Sequence, residues 1–122
     1  MKLINDLFEI LESSVSETGF ITTIILNPTH IVYSGHFPGL PVTPGVIQLQ
    51  IVHELSERHF QRNLRLLTMS QSKFLKILNP EETFRLAIHI EFTRADEIIH
   101  IKARGEYGTD IFFKLNGMYH LI

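Results

Sequence analysis

Gly35-His36-Phe37-Pro38-Gly39-Leu40-Pro41-Val42-Thr43-Pro44-Gly45-Val46-Ile47 decides how this chain is read, because two opposite backbone instructions meet in it. Its first half sets prolines, which fix φ at about −65°, beside glycines, which accept almost any φ, and such a mixture belongs to a stiff, sharply turned loop. Its second half reads as a helix start. Thr43 is a fitting N-cap, and Pro44 suits the first helical position, where a missing N–H is no loss.

Downstream, Val46, Ile47, Leu49, Ile51, Val52 and Leu55 leave the first turns little polar surface, which marks a buried helix running to about Phe60. Charges return at Glu57, Arg58, Arg62 and Arg65, so the far end emerges into water. In the last third, Phe84, Leu86, Ile88, Ile90 and Phe92 alternate with Thr83, Arg85, Ala87, His89 and Glu91, the period of two that lays one face of a strand on a core. The same period recurs at Ile99, Ile101 and Ala103, and again at Ile111, Phe113, Leu115 and Tyr119. Polar breaks at Arg94–Glu97 and Tyr107–Asp110 suit hairpin turns, so these three strands form an antiparallel meander. Residues 7–16, 20–27 and 65–78 supply three less regular strands. One buried helix and about six antiparallel strands satisfy both patterns if the sheet curls around the helix. Periodicity leaves other α+β arrangements open, since it does not order the strands.

A chain of 122 residues suits one core that buries roughly two-thirds of the unfolded surface, and no linker, repeat or low-complexity tract divides residues 1–122. With 44% hydrophobic residues, 20% charged residues and a net charge of −2, nothing in the composition calls for nucleic acid or a membrane. The absence of cysteine excludes disulfides and thiolate chemistry and agrees with a reducing compartment. No signal-peptide pattern and no apolar run of the ~20 residues that span a bilayer is present, so a cytoplasmic protein is expected. Glycine-rich phosphate loops and serine-hydrolase elbows are missing. His53-Glu54-Leu55-Ser56-Glu57 has Glu57 where a helical zinc site needs a second histidine, so neither metal nor cofactor is expected. His89, His100 and His120 fall on polar strand faces and read as solvated.

The block from His30 to Val46, with its succession Gly-His-Phe-Pro-Gly, Pro, Pro-Gly-Val, resembles the active-site loop and helix start of the hot-dog-fold 3-hydroxyacyl-acyl-carrier-protein dehydratases of fatty-acid synthesis. Lys73-Phe74 and Asn79-Pro80-Glu81-Glu82 are similar to that family too. The resemblance implies a curled sheet around one long helix. It also implies dehydration of a (3R)-hydroxyacyl thioester to a trans-2-enoyl product, in fatty-acid or related polyene or polyketide synthesis. His36 is then the base, aimed by Phe37, Pro38 and Gly39. Pro44, Gly45 and Val46 form the pocket edge, and the Gly45 N–H is the clamp on the thioester carbonyl.

One position departs from the pattern. The family's helix carboxylate falls fourteen residues after His36, where this chain has Gln50, and an amide cannot deliver or accept a proton. Glu54, one turn on, is the candidate substitute acid, although a rise of ~6 Å separates the two positions. The resemblance implies a dimer interface at the site, so a related hot-dog subunit carrying the missing acid is the other remedy. A homodimer, a heterodimer and a larger assembly all stay open. Arg58, Arg62, Arg65, Lys73 and Lys76 are candidates for docking the acidic surface of an acyl carrier protein. Besides the dehydratase reading, a non-catalytic subunit that binds acyl chains or complements an active partner, and an acyl thioesterase, remain as alternatives.

Overall fold

A computed structural model describes residues 2–34 and 39–122. Gly35, His36, Phe37 and Pro38 lie outside the described residues. The elements run β1 (Phe8–Val15), β2 (Gly19–Leu26), a single 3-10 turn (Ile31–Tyr33), α1 (Gly45–Phe60), β3 (Leu64–Phe74), β4 (Arg85–Ala95), β5 (Ile98–Tyr107) and β6 (Asp110–Leu121). All six strands join one antiparallel sheet in the order β1-β2-β4-β5-β6-β3. This is the hot-dog arrangement of six strands and one helix.

The expected meander is β4, β5 and β6, paired in sequence order. Asp96 and Gly108 take left-handed conformations, with φ of 54° and 61°, in its two turns. Leu86, Ile88 and Ile90 of β4, Ile99 and Ile101 of β5, and Phe113, Leu115 and Tyr119 of β6 are all buried. Ile47, Ile51, Val52 and Leu55 of α1 close over them in one core, joined by Leu3, Leu7 and Phe8. Burial pushes the Tyr119 phenol up to about 12.

Several sequence expectations need correction. Phe84, expected on the core face, is exposed, because β4 begins at Arg85 opposite Ile25 and the alternation does not reach it. Helix α1 begins one residue later than expected: Pro44 is the N-cap, with φ −60° and ψ 150° and no side-chain cap, and Gly45 is the first helical residue. Thr43 is spent elsewhere. His89 and His100 are half-buried rather than solvated. His89 pairs with Glu106 at 2.8 Å and accepts from Arg104, and His100 bonds to Asn116. His120 is half-buried as well.

β3 is an edge strand, and most of it is exposed in the single chain, including Leu66, Leu67 and Phe74. Two irregularities in its pairing with β6, between Leu66 and Thr68 and between Met69 and Gln71, bend it along its length.

Candidate active site

Thr43 holds the base of the segment that carries His36. Its N–H donates to the Leu78 carbonyl at 2.9 Å, and its hydroxyl shares a 2.9 Å hydrogen bond with the Tyr33 hydroxyl. Its carbonyl accepts from Nε2 of Gln48 at 3.0 Å. Tyr33 ends the 3-10 turn before the loop and Thr43 stands just before α1, so the Tyr33–Thr43 bond ties the two ends of the loop together. Burial raises the Tyr33 phenol above its ordinary value, and the bond to Thr43 partly offsets that. His36, Phe37 and Pro38 of the expected site lie outside the described residues. Gly39 is exposed, with φ +83°.

The start of α1 has the property the clamp requires. Ile47 and Gln48 both donate to the Pro44 carbonyl, at 3.0 and 3.2 Å. The N–H groups of Gly45 and Val46 have no partner among the described residues. Unmet N–H groups at a helix start carry partial positive charge and suit a carbonyl oxygen or an anion. Gly45 lies directly under the Phe74 ring, and a Cβ built on it would come within 2.7 Å of that ring. Val46 turns outward and is 69% exposed.

Beside this helix start is a cavity of about 340 Å³, walled by Val42, Thr43, Pro44, Gly45 and Gln48 and by the segment from Phe74 to Leu78. Gln48 is 3% exposed, and with its Nε2 committed to Thr43, its Oε1 has no hydrogen-bond partner. A buried acceptor left unmet costs about 1–3 kcal/mol. Sequence reasoning passed over Gln48 and Tyr33, and gave Thr43 only the role of N-cap, which Pro44 takes instead. The one available signal was a glutamine inside a run otherwise read as apolar.

Gln50 and Glu54 are in direct contact: Gln50 Nε2 donates to Glu54 Oε2 at 2.9 Å. The Glu54 carboxylate is buried and also accepts from the Leu3 N–H, at 2.8 Å to each oxygen, and from the Ile4 N–H at 2.9 Å. Glu54 therefore anchors the N-terminal segment to the helix. A carboxylate only accepts, so Gln50 must turn its NH₂ toward Glu54.

The five candidate docking cations do not form one patch. Arg58 and Arg62 lie at the far end of α1, beside a cavity of about 610 Å³ that Lys2, Glu57 and Ile122 also line. Arg62 is ion-paired with Glu97, and the guanidinium holds that carboxyl below its usual value. Lys73 and Arg65 are eight residues apart on β3, roughly 26 Å at strand spacing. Lys76 lies at the helix-start cavity and pairs with Asp110 at 2.9 Å. His53 packs edge-on against Tyr119 and faces Glu57 at 3.4 Å. Among the described residues no cluster of three metal-binding side chains occurs, and no helix is long and apolar enough to cross a membrane.

Comparison with known proteins agrees with this architecture. Two curated 3-hydroxyacyl-[acyl-carrier-protein] dehydratases are similar in sequence. That of Rickettsia canadensis is 31% identical over 72 residues, covering 52% of this chain and 50% of that protein. That of Rickettsia bellii is 28% identical over 94 residues, covering 70% and 63%. The chain thus matches only half to five-eighths of these relatives' own length. Among solved structures, a chain of the dehydratase heterocomplex ApeI:P from Xenorhabdus doucetiae superposes with a TM-score of 0.74 at 17% identity, covering 92% of this chain and 96% of that one. An uncharacterised protein from Erwinia carotovora subsp. atroseptica gives 0.68 at 20% identity, covering 95% and 96%. Residues 12–108 match the family described as ApeI-like, ApeI dehydratase, and with most of its length inside that match, the chain belongs to this family of hot-dog-fold dehydratases.

Proposed function

We propose that this chain supplies the base and the carbonyl clamp of a dehydratase that acts on (3R)-hydroxyacyl thioesters of acyl carrier protein, and that a related hot-dog subunit supplies the second proton carrier. The Gln50–Glu54 pair carries the reading. The position expected to hold the acid has an amide, and the nearest carboxylate already serves that amide and the backbone of Leu3 and Ile4. In this scheme His36 removes the proton on C2, and the Gly45 N–H holds the charge that develops on the thioester oxygen. The partner's acid protonates the hydroxyl on C3, which leaves as water as the C2–C3 double bond forms.

Two observations support a partner. β3 leaves a sheet edge open with Leu66 and Leu67 exposed along it, and a structural relative is described as a dehydratase heterocomplex. Carrier-protein docking fits best at Lys73 and Lys76, since Lys76 borders the cavity at the helix start while Arg58 and Arg62 lie at the other end of α1.

The test is product formation, followed by mass, from a 3-hydroxyacyl carrier protein. The chain alone is expected to be slower than the mixture with its partner by about 10²–10⁴, the usual contribution of a general acid. His36→Ala should abolish turnover of the mixture. Full turnover by the chain alone refutes the shared site, and turnover that survives His36→Ala refutes the assignment of the base.

A further inference from the structure

The outer face of the sheet, turned away from α1, carries a groove of about 290 Å³. Its wall includes Gln71 of β3, Glu91 of β4, Lys102 and Arg104 of β5, and Lys114 and Asn116 of β6. Along β5 and β6 these residues alternate with Ala103 and Leu115, which are buried in the core under the helix, so the polar set shares the opposite face. Lys102 and Lys114 are exposed, and their long flexible stems let both ammonium groups reach into the groove.

The register gives this face an unusual row of charge. Lys114 stands directly opposite Arg104 in β5 and Lys73 in β3, and like charges facing each other across strands weaken a sheet. A strand face that is merely solvated would be better served by an acid or a threonine at position 114. Sequences break such local rules where function requires it. Glu106 answers only one of the cations. Its carboxylate accepts from Arg104 Nε at 3.0 Å and from His89 Nε2 at 2.8 Å. Arg104 Nη2 also donates to His89 Nδ1 at 3.2 Å, which makes that ring the neutral tautomer. Lys102 and Lys114 have no ion pair among the described residues. Asn116 gives its Oδ1 to His100 and keeps its NH₂ as a donor. Glu91, opposite Lys102, is the one acid on the wall.

A wall so rich in donors and net positive charge matches an anion with several oxygens. The groove admits on the order of ten non-hydrogen atoms at the ~30 Å³ a water takes in the liquid, about the size of a diphosphate group. We propose that this groove binds the diphosphate of a phosphorylated ligand, either inorganic diphosphate or a nucleoside diphosphate.

Binding to the full chain is measured calorimetrically in buffer free of divalent cations, with inorganic diphosphate, adenosine diphosphate, orthophosphate and an oligoglutamate peptide. Both diphosphates should bind, and orthophosphate about tenfold more weakly. Tighter binding of adenosine diphosphate assigns the ligand to the nucleotides, and equal binding assigns it to the inorganic ion. Lys102→Gln and Lys114→Gln should each weaken diphosphate binding about tenfold, the loss of one charge-assisted contact. Lys114→Arg should restore it, and Glu91→Gln should tighten it. Without ligand, Lys114→Gln should melt at a temperature no lower than the parent, since it relieves the row of like charges. Absence of diphosphate binding, binding unchanged in both glutamine variants, or a preference for the acidic peptide overturns the proposal. No turnover is read, so the result stands apart from the dehydratase reading.

Discussion

At the scale of single residues, Glu54 shows how much a buried carboxylate can be asked to hold. Glu54→Gln surrenders the charge in its bonds to Leu3 and Ile4 and is expected to lower unfolding free energy by about 2 kcal/mol in urea titration. Gln50→Glu would put a second carboxylate within hydrogen-bond reach of the first, and such a pair keeps one proton at higher pH than either group alone. With its folded pKa raised, the new carboxyl weakens the fold increasingly as pH rises from about 4.3 through the folded value. Gln50→Glu should therefore lose stability between pH 5 and pH 8, whereas the double variant Gln50→Glu/Glu54→Gln should not. The double variant is accordingly the cleaner way to restore an acid at position 50. The Tyr33–Thr43 bond permits a double-mutant cycle. Tyr33→Phe and Thr43→Val should couple by about 1 kcal/mol, and their absence of coupling would show that the loop is not tied there.

At the scale of elements, what was legible depended on how each strand is buried. β4, β5 and β6 have one face on the core and one in water, so their residues alternate and their register can be read. β3 is exposed along most of its length, and an edge strand with so little burial imposes no alternation. The pairing of β2 with β4 rests on a close approach that the sequence does not announce. A Cβ on Gly19 would lie 1.9 Å from the Ile90 carbonyl oxygen. Gly19→Ala is thus expected to cost about 3 kcal/mol, read from the urea midpoint. At the end of α1, His59 stacks on Phe20 at 4.2 Å and meets Phe60 and Phe92. Burial holds its imidazole below the usual value, so the folded chain favours the neutral ring. Its contribution to stability is complete above about pH 6.5 and is lost as pH falls through that value toward the lower folded one. His59→Phe should make the urea midpoint change less between pH 8 and pH 5.5.

At the scale of the whole molecule, the helix and the loop before it announce the family, while the contacts that complete the candidate site come from distant parts of the chain. Gly45 is legible because Pro-Gly before an apolar run states a helix start. Glu54 finds its partner 51 residues away, a separation beyond the reach of any local pattern. Gln48 stands in a run that reads as apolar, and only the fold shows that its amide is buried. The same long-range closure brings Lys2 and Ile122 to the rim of one cavity, beyond the last turn of α1 and at the opposite end of the helix from Gly45. That proximity makes the protein a subject for circular permutation. A short flexible bridge from Ile122 to Lys2, with new ends opened in the exposed turn at Gly108 and Thr109, should give a chain with unchanged far-ultraviolet circular dichroism. In such a permutant β6 would come first in the chain and β5 last, so these neighbours in the sheet would be held together by their pairing alone, with the helix and the loop that leads into it left uncut.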